Sequence, residues 1–322
     1  MRKLRTTFLA SVHITLVLTF ASFEAVATDY RLTPITKNIQ VIYGPFDLPD
    51  NKNRGFRNNV VVVTTSEGLV IFDPGGSAYT GEMVARALKG LTPKPIVAVF
   101  NSHAHGDHWL GNEGIRKHHP DALIYGHPKM KARIEGPDGY RWLDLINRVT
   151  KGTAEGKVII GPNRTVDDGD VVTVGDTRFR IHHTGLAHTD NDIMIEIVGQ
   201  NVLYIGDVVR NGLLGIMEED ASFKGNIAAI DAMLEKKFSS YIPGHGQAGG
   251  EEMLTKYRSY LQIVRTKVKK LYEKGLRDYE MKAEVVKSLS AYKGWAGFEL
   301  RVGPHITRAF LEVEAEDFET SG

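Results

Sequence analysis

The chain has 322 residues, with 40 Lys and Arg against 39 Asp and Glu, twelve His, no Cys and 42% hydrophobic residues, for a formal net charge of +1. This composition is that of a globular protein and excludes disordered, collagen-like and coiled-coil chains, while the near-zero charge excludes the basic footprint of a nucleic-acid binder. The lack of Cys removes disulfides, a thiolate nucleophile, Cys-held zinc or iron–sulfur sites and a lipid-acceptor thiol, so any metal site must be built from His and carboxylates.

Arg2, Lys3 and Arg5 precede a mostly apolar run from Phe8 to Phe20, interrupted by Ser11, His13 and Thr15, and Ala25-Val26-Ala27 follows with the small residues of a cleavage site. The pattern predicts a secretory signal over residues 1–27. The alternative, a single N-terminal anchor helix, is disfavoured by the shortness of the run. Cleavage removes three basic residues and one acidic one, leaving 37 against 38, so the expected mature chain is nearly neutral. It is expected to be periplasmic or secreted and free of the membrane.

From there, short β-branched runs alternate with amphipathic stretches, which predicts an α/β fold. Val60 to Thr65 and Leu69 to Phe72, separated by Ser66-Glu67-Gly68, predict a hairpin of buried strands. Tyr79 to Leu91 predicts a helix with Met83, Val84, Ala87 and Leu88 on one side. Pro95 to Asn101 predicts the next buried strand, and further strands are expected at 122–125, 158–160, 171–174, 178–183, 193–197 and 202–205. Ile227, Ile230 and Leu234 mark a helix over 226–238. Beyond residue 250 the pattern turns helical. Leu254, Tyr257, Leu261, Val264, Val268 and Leu271 recur at steps of three and four before Gly275, and two more helical stretches are expected at 279–289 and 306–315.

The chemistry is concentrated in His103-Ala104-His105-Gly106-Asp107-His108, directly after the strand predicted at 95–101. Two His at i and i+2 in extended chain point the same way and can hold one ion. Asp107 and His108, on the turn into a helix, project elsewhere and can hold a second. His and Asp are poor core residues unless satisfied, so this cluster is not core filling. Three more candidates stand after apolar runs with Gly nearby: His188, Asp207 and His245.

In this order the residues resemble the metallo-β-lactamase superfamily, whose signature is an HxHxDH motif followed by a distant His, an Asp and a last His. The resemblance implies a four-layer αββα sandwich over residues 28–250, with residues 251–322 as a C-terminal helical appendage. It implies that His103, His105 and His188 hold one ion, that Asp107, His108 and His245 hold another, and that Asp207 bridges them. Asp73, in Val70-Ile71-Phe72-Asp73-Pro74-Gly75, is expected to orient the His-rich loop from behind the metals. Asp207 stands where β-lactamases of the family have Cys or Ser, so the ligand set is closer to glyoxalase II-like thioesterases, lactonases and related hydrolases. The flavo-diiron branch needs Glu at the place of His105 and an attached flavodoxin-like domain, and neither is present. The layout is most similar to exported zinc metallohydrolases associated with quinoprotein and sulfur-oxidation systems.

The expected cofactors are two Zn2+ ions, with iron or manganese as alternatives for the same donors. The expected reaction is attack on an ester, thioester or lactone carbonyl by a hydroxide held between the ions. Asp107 is given a catalytic role in addition to ligation, orienting the nucleophile and passing on its proton. The expected partner is a small-molecule acyl substrate. A β-lactamase, favoured by export, and a non-enzymatic periplasmic metal- or ligand-binding protein are the competing functions. The segment 44–58 is either a flap over the metals or a plain surface loop, and Trp109, Arg210, Asn211 and Tyr241 are candidates for the pocket lining. Of the adjacent His182 and His183, one is expected to be buried near the site and the other at the surface. His118, His119, His127 and His305 are expected to be structural, and Lys267, Lys269 and Lys270 to be either an anion-binding patch or solvated surface.

Overall fold

Val60, Val61, Val62 and Val63 are all buried, yet they serve two different cores. Val61 and Val63 pack between two sheets with Phe72, Phe179 and Tyr204, whereas Val60 and Val62 face outward with Ile71, Val84 and Leu88. Alternate side chains of a strand point to opposite faces, so an unbroken apolar run belongs to a sheet covered on both sides. That requirement sets the layering of the molecule.

The computed structural model describes residues 30–90, 92–217 and 219–321, so the signal expected at 1–27 lies outside the described residues. In chain order the elements are β1 Leu32–Pro34, β2 Ile39–Ile42, β3 Val60–Thr64, β4 Leu69–Phe72, α1 Ala78–Lys89, β5 Ile96–Phe100, α2 Gly106–Trp109, α3 Asn112–His118, β6 Leu123–Gly126, α4 Pro128–Glu135, α5 Pro137–Val149 and β7 Arg164–Thr165. They continue with β8 Val171–Val174, β9 Thr177–His182, β10 Met194–Ile197, β11 Val202–Arg210, α6 Phe223–Lys236, β12 Ser240–His245, α7 Glu251–Tyr272, α8 Asp278–Lys287 and α9 Phe298–Ser321. One sheet runs β1 to β7 in sequence order, antiparallel up to β4 and parallel from β4 to β7. The other runs β12-β11-β10-β9-β8, with only β11 and β12 parallel.

Helices cover both outer faces. α1 and α3 seal the first sheet, with Val84, Ala85, Leu88 and Ile115 against Ile71, Val99 and Ile124. α6, α7 and α9 seal the second in one continuous core that joins Leu203 and Ile205 of β11 to Ile230, Leu254, Leu261, Val264, Val302 and Ile306. The result is the expected four-layer αββα sandwich with C-terminal helices. α7 buries Leu254, Tyr257, Leu261, Val264 and Val268, as the spacing predicts, and the chain turns away at Gly275 with φ +81°. Among the described residues no helix is long and apolar enough to cross a membrane.

Two expectations are corrected. Residues 158–160 form no strand. The Glu113 carboxylate accepts from the Lys157 and Val158 amides and Asn112 Nδ2 donates to the Ile160 carbonyl, so side chains take backbone groups that a ladder would need, and Arg164–Thr165 pairs with β6 instead. The strand expected at 202–205 continues to Arg210, with irregular pairing against β12 on either side of Gly206. This extension carries Asp207 to the sheet edge.

Because α7 and α9 share a core with β11, a chain ending at residue 250 leaves a large apolar face uncovered. Such a truncation is expected to lose cooperative thermal unfolding and to bind a hydrophobic dye. A cooperative melt without dye binding would show instead that the helices are dispensable.

Candidate metal centre

β4 and β5 are parallel neighbours, so their carboxyl ends lie together and deliver Asp73 and the loop 101–108 to one edge. β11 and β12, parallel in the other sheet, bring Asp207 and His245 to the same place, and the connection from β9 to β10 adds His188. Asn59 joins the two sheets here, donating through Nδ2 to the Pro243 carbonyl at 2.8 Å and the Gly246 carbonyl at 2.6 Å. Gly244 has to be Gly, because a Cβ there would sit 2.0 Å from Asp207 Oδ1 and 3.0 Å from His108 Cε1.

The seven expected ligands come together as three overlapping groups: His103, His105 and His188; His103, His108 and Asp207; and Asp107, His108 and His245. Asp207 shares a group with His103 and His108, between the two ends of the cluster. His105 Nδ1 and His188 Nε2 are 3.0 Å apart, near the edge of about 3.3 Å that metal–nitrogen bonds of 2.0–2.1 Å give a tetrahedral site. His245 Nε2 lies 3.3 Å from Asp107 Oδ2 and 3.5 Å from Asp207 Oδ2. His103 Nε2, His108 Nε2 and Asp207 Oδ1 are buried without a hydrogen-bond partner among the described residues. Buried polar atoms are almost always paired, so this donor set fits divalent ions that histidine and carboxylate would hold.

Ring orientation is set from behind. Asp73, at φ +51°, accepts from Ser102 N at 2.7 Å, Ser102 Oγ at 2.6 Å, His108 Nδ1 at 2.7 Å and Tyr204 Oη at 2.5 Å. With its hydrogen committed to Asp73, Ser102 Oγ accepts from His103 Nδ1 at 2.9 Å. His245 Nδ1 donates to the Arg57 carbonyl at 3.1 Å. Each of these three rings therefore carries its proton on Nδ1 and turns the lone pair of Nε2 into the site. The loop backbone is held as well, since Asn191 Oδ1 accepts from Ala104 N and Trp109 Nε1 donates to the Ala104 carbonyl.

The electrostatics separate the histidines. Burial, then the neighbouring His108 and His105, holds His103 well below the usual value, and burial with Arg210 does the same for His188. His108 is also penalised by burial, but Asp207, Asp107 and Asp73 outweigh this and hold it well above. Burial opposes ionisation of Asp107 and Asp207, yet His108 with His245 and Arg57 at the first, and Arg210 with His245 and His108 at the second, keep both carboxylates far below the ordinary range. Arg210 donates from Nε and Nη2 to Asp207 Oδ2 at 3.0 and 2.6 Å, and Nη2 lies 3.2 Å from His188 Nε2.

A cavity of about 260 Å3 opens above these groups, and its walls include Trp142 and Ile146 of α5 together with Leu48 and Pro49. The 44–58 segment thus reaches the pocket at its tip, while Phe56 is buried and stacked on Tyr30. Of the four lining candidates only Arg210 lines the cavity. Trp109 and Tyr241 are core residues, and Asn211 bonds the Gln247 carbonyl. His182 is buried against Glu196, His183 stacks on His127, and His305 is buried between Tyr260 and the Gly215 carbonyl. Lys267, Lys269 and Lys270 are exposed and do not line the metal pocket. Sequence reasoning missed α5 with Trp142, and also Arg57 and Arg301, which line the cavity too. The apolar periodicity of 142–146 was a usable signal, whereas Arg301 offered none. A larger groove of about 590 Å3, lined by Leu69, Lys94 and Ile96, lies at the opposite ends of β4 and β5 and holds none of the seven ligands.

Two outcomes follow from this geometry. Asp73→Asn leaves buried donors competing with an amide, and is expected to weaken metal binding about 10–100-fold in a competition titration with a chelating dye; unchanged affinity would remove Asp73 from its orienting role. Asp192, which accepts from Thr189 N and Oγ1 beside the metal loop, is raised by burial to about 7. A carboxyl raised on folding stabilises the fold fully below its unfolded value, and that contribution is lost as pH rises through about 7. Calorimetric Tm values from about pH 5 to about pH 8.5 should show the parent losing stability relative to Asp192→Asn up to that point and levelling off above it. A constant difference would contradict the assignment.

The comparisons with known proteins converge on one family. Residues 53–245 match the family model of the metallo-beta-lactamase superfamily. The chain is similar to a hydroxyacylglutathione hydrolase of Gloeothece citriformis, 34% identical over 26% of this chain, and the match spans only 32% of that protein's length. It is similar to the metallo-beta-lactamase IND-1 of Chryseobacterium indologenes, 24% identical over 72% of this chain and 87% of the relative. The fold resembles the solved metallo-beta-lactamase from Pontibacter korlensis, with a TM-score of 0.58 at 19% identity over 72% of this chain and 98% of that one. With more than half of its length matched by the family model and its ligands gathered at one sandwich edge, the chain belongs to the metallo-beta-lactamase superfamily.

Proposed function

We propose that this protein is an exported, dinuclear zinc-dependent hydrolase acting on an ester, thioester or lactone carbonyl. The observation that carries the reading is the set of seven convergent ligands with Asp207 among them and unpartnered buried donor atoms directed inward. Histidine-rich sites with a few carboxylates suit zinc, which needs no redox partner. Bound ions would supply Lewis acidity and a water that ionises near neutral pH. The chain does the rest. Asp107, kept ionised and only partly covered, is an acceptor placed to orient a nucleophilic water and take its proton, and Arg57 Nε, 3.6 Å from Asp107 Oδ2, holds that carboxylate in place. Trp142 and Ile146 screen the reacting carbonyl from bulk water. The similarity to a hydroxyacylglutathione hydrolase supports the thioester reading. Export rests on Arg2, Lys3, Arg5 and the apolar run that follows them.

A β-lactamase is the second reading, favoured by the similarity to IND-1 over 87% of that enzyme. Acid release by the zinc-loaded protein across thioesters, lactones, simple esters and β-lactams separates the two. The expected result is turnover of a thioester, lactone or ester, abolished by chelator and reduced at least about a hundredfold by Asp207→Ala. Turnover confined to β-lactams selects the second reading, and silence across the panel overturns both.

A further inference from the structure

Three guanidinium groups line the metal pocket, from Arg57, Arg210 and Arg301. Two of them are committed. Arg210 is bonded to Asp207, and Arg57 faces Asp107. Arg301 is different. It stands on α9, outside the segment matched by the family model, and its side chain has no carboxylate or hydrogen-bond acceptor among the described residues. Burial, then the positive charges of Arg57 and Arg210, pulls its pKa below the usual arginine value, although arginine remains charged. A half-buried cation repelled by two others is costly unless something anionic joins it.

The helix that carries Arg301 is held in place on both sides of it. One turn further along the same helix face, His305 is buried, with Nε2 2.9 Å from the Gly215 carbonyl and Nδ1 2.8 Å from Tyr260 Oη. At the start of the helix, Leu214 N donates to the Ala296 carbonyl and Ala296 N to the Gly212 carbonyl. Gly215 lies in the same wall, where a Cβ would come within 2.2 Å of the Arg210 guanidinium. The loop after β11 and the start of α9 are thus bonded to each other and place two arginines in the wall of the pocket. The remaining lining is largely apolar, including Leu48, Trp142, Leu145, Ile146 and Val149, with Leu48 and Val149 partly open to solvent.

We propose that Arg301 forms an anion subsite of this pocket, so that the preferred substrate is an amphipathic acyl compound with an apolar body and a terminal carboxylate, sulfonate or phosphate. The subsite is a property of the chain itself, whereas the substrate class rests on the hydrolase reading. Lys267, Lys269 and Lys270 are not part of it.

The test separates these two claims. Titration calorimetry on the metal-free protein uses octanesulfonate as the probe and octanol as its neutral counterpart. Octanesulfonate should bind more tightly than octanol and weaken with added salt. Arg301→Met should weaken octanesulfonate about tenfold and Arg301→Lys less, because the charge is kept while the fork of donors is lost. Circular dichroism confirms that each variant is folded. Octanesulfonate binding unchanged in Arg301→Met, or lost in Lys267→Met/Lys269→Met/Lys270→Met instead, overturns the subsite. With zinc loaded, the preference for mono-4-nitrophenyl glutarate over 4-nitrophenyl butyrate should collapse in Arg301→Met through KM more than kcat. If neither ester turns over while the calorimetric result holds, the substrate assignment falls and the subsite stands. If both turn over alike in parent and variant, the substrate assignment falls and the hydrolase reading stands.

Discussion

The carboxylate of Asp73 is the interaction on which the rest of the site depends. It takes four donors from three parts of the fold: the amide and hydroxyl of Ser102 in the metal loop, His108 on the short α2, and Tyr204 on the opposite sheet. One buried group thereby ties β4 to the loop after β5 and to β11, and turns two histidines towards the ligand cluster. Removing it would leave several donors unpaired in a fully buried environment, a cost well above the net worth of any one of the bonds. The left-handed backbone at Asp73 is tolerated because these contacts over-determine it.

In front of Asp73 lies a concentration of buried charge that no packing argument would favour. Asp207 and Arg210 are each 3% exposed and His103, His108 and His188 are fully buried, so the cluster had to find compensation internally. It does so unevenly. Asp207 is neutralised by Arg210 on one oxygen and left open on the other, and the histidines divide: burial pulls the pKa of His103 and His188 down, while Asp207, Asp107 and Asp73 push that of His108 up against its burial. Structures give up local stability of this kind where chemistry requires it, and divalent ions are what would complete the balance.

The sequence made the two kinds of regularity legible. Strands buried on both faces read as unbroken apolar runs at 60–64, 69–72 and 96–100, and the ligand residues stood out because polar side chains followed those runs. What it hid were features decided by partners distant in the chain. Val158, Ile159 and Ile160 have strand-like composition, but Glu113 and Asn112 on α3 claim their backbone, and nothing local announces that. Arg210 was legible as a neighbour of a ligand. Trp109 and Tyr241 were equally near in sequence, yet the strand and helix turn them into the core. Adjacency to a ligand says little about direction, because successive side chains of a strand face opposite ways.

Arg301 is the extreme case, almost a hundred residues after Asp207 on a helix beyond the matched family segment. Its placement follows from the second sheet having an outer face to cover. α7 and α9 bury that face, His305 fixes the register of α9 through the Gly215 carbonyl, and the residue one turn earlier thereby lines the pocket beside the ligand cluster. The same packing that closes the fold decides what stands at the mouth of the pocket. Metal ligation is set by the sandwich edge, which depends on short-range geometry around Asp73. The anion subsite proposed at Arg301 is carried by the C-terminal helices, which meet that edge only through tertiary packing. A change in α9 can therefore alter what the pocket accepts while leaving the ligand cluster untouched.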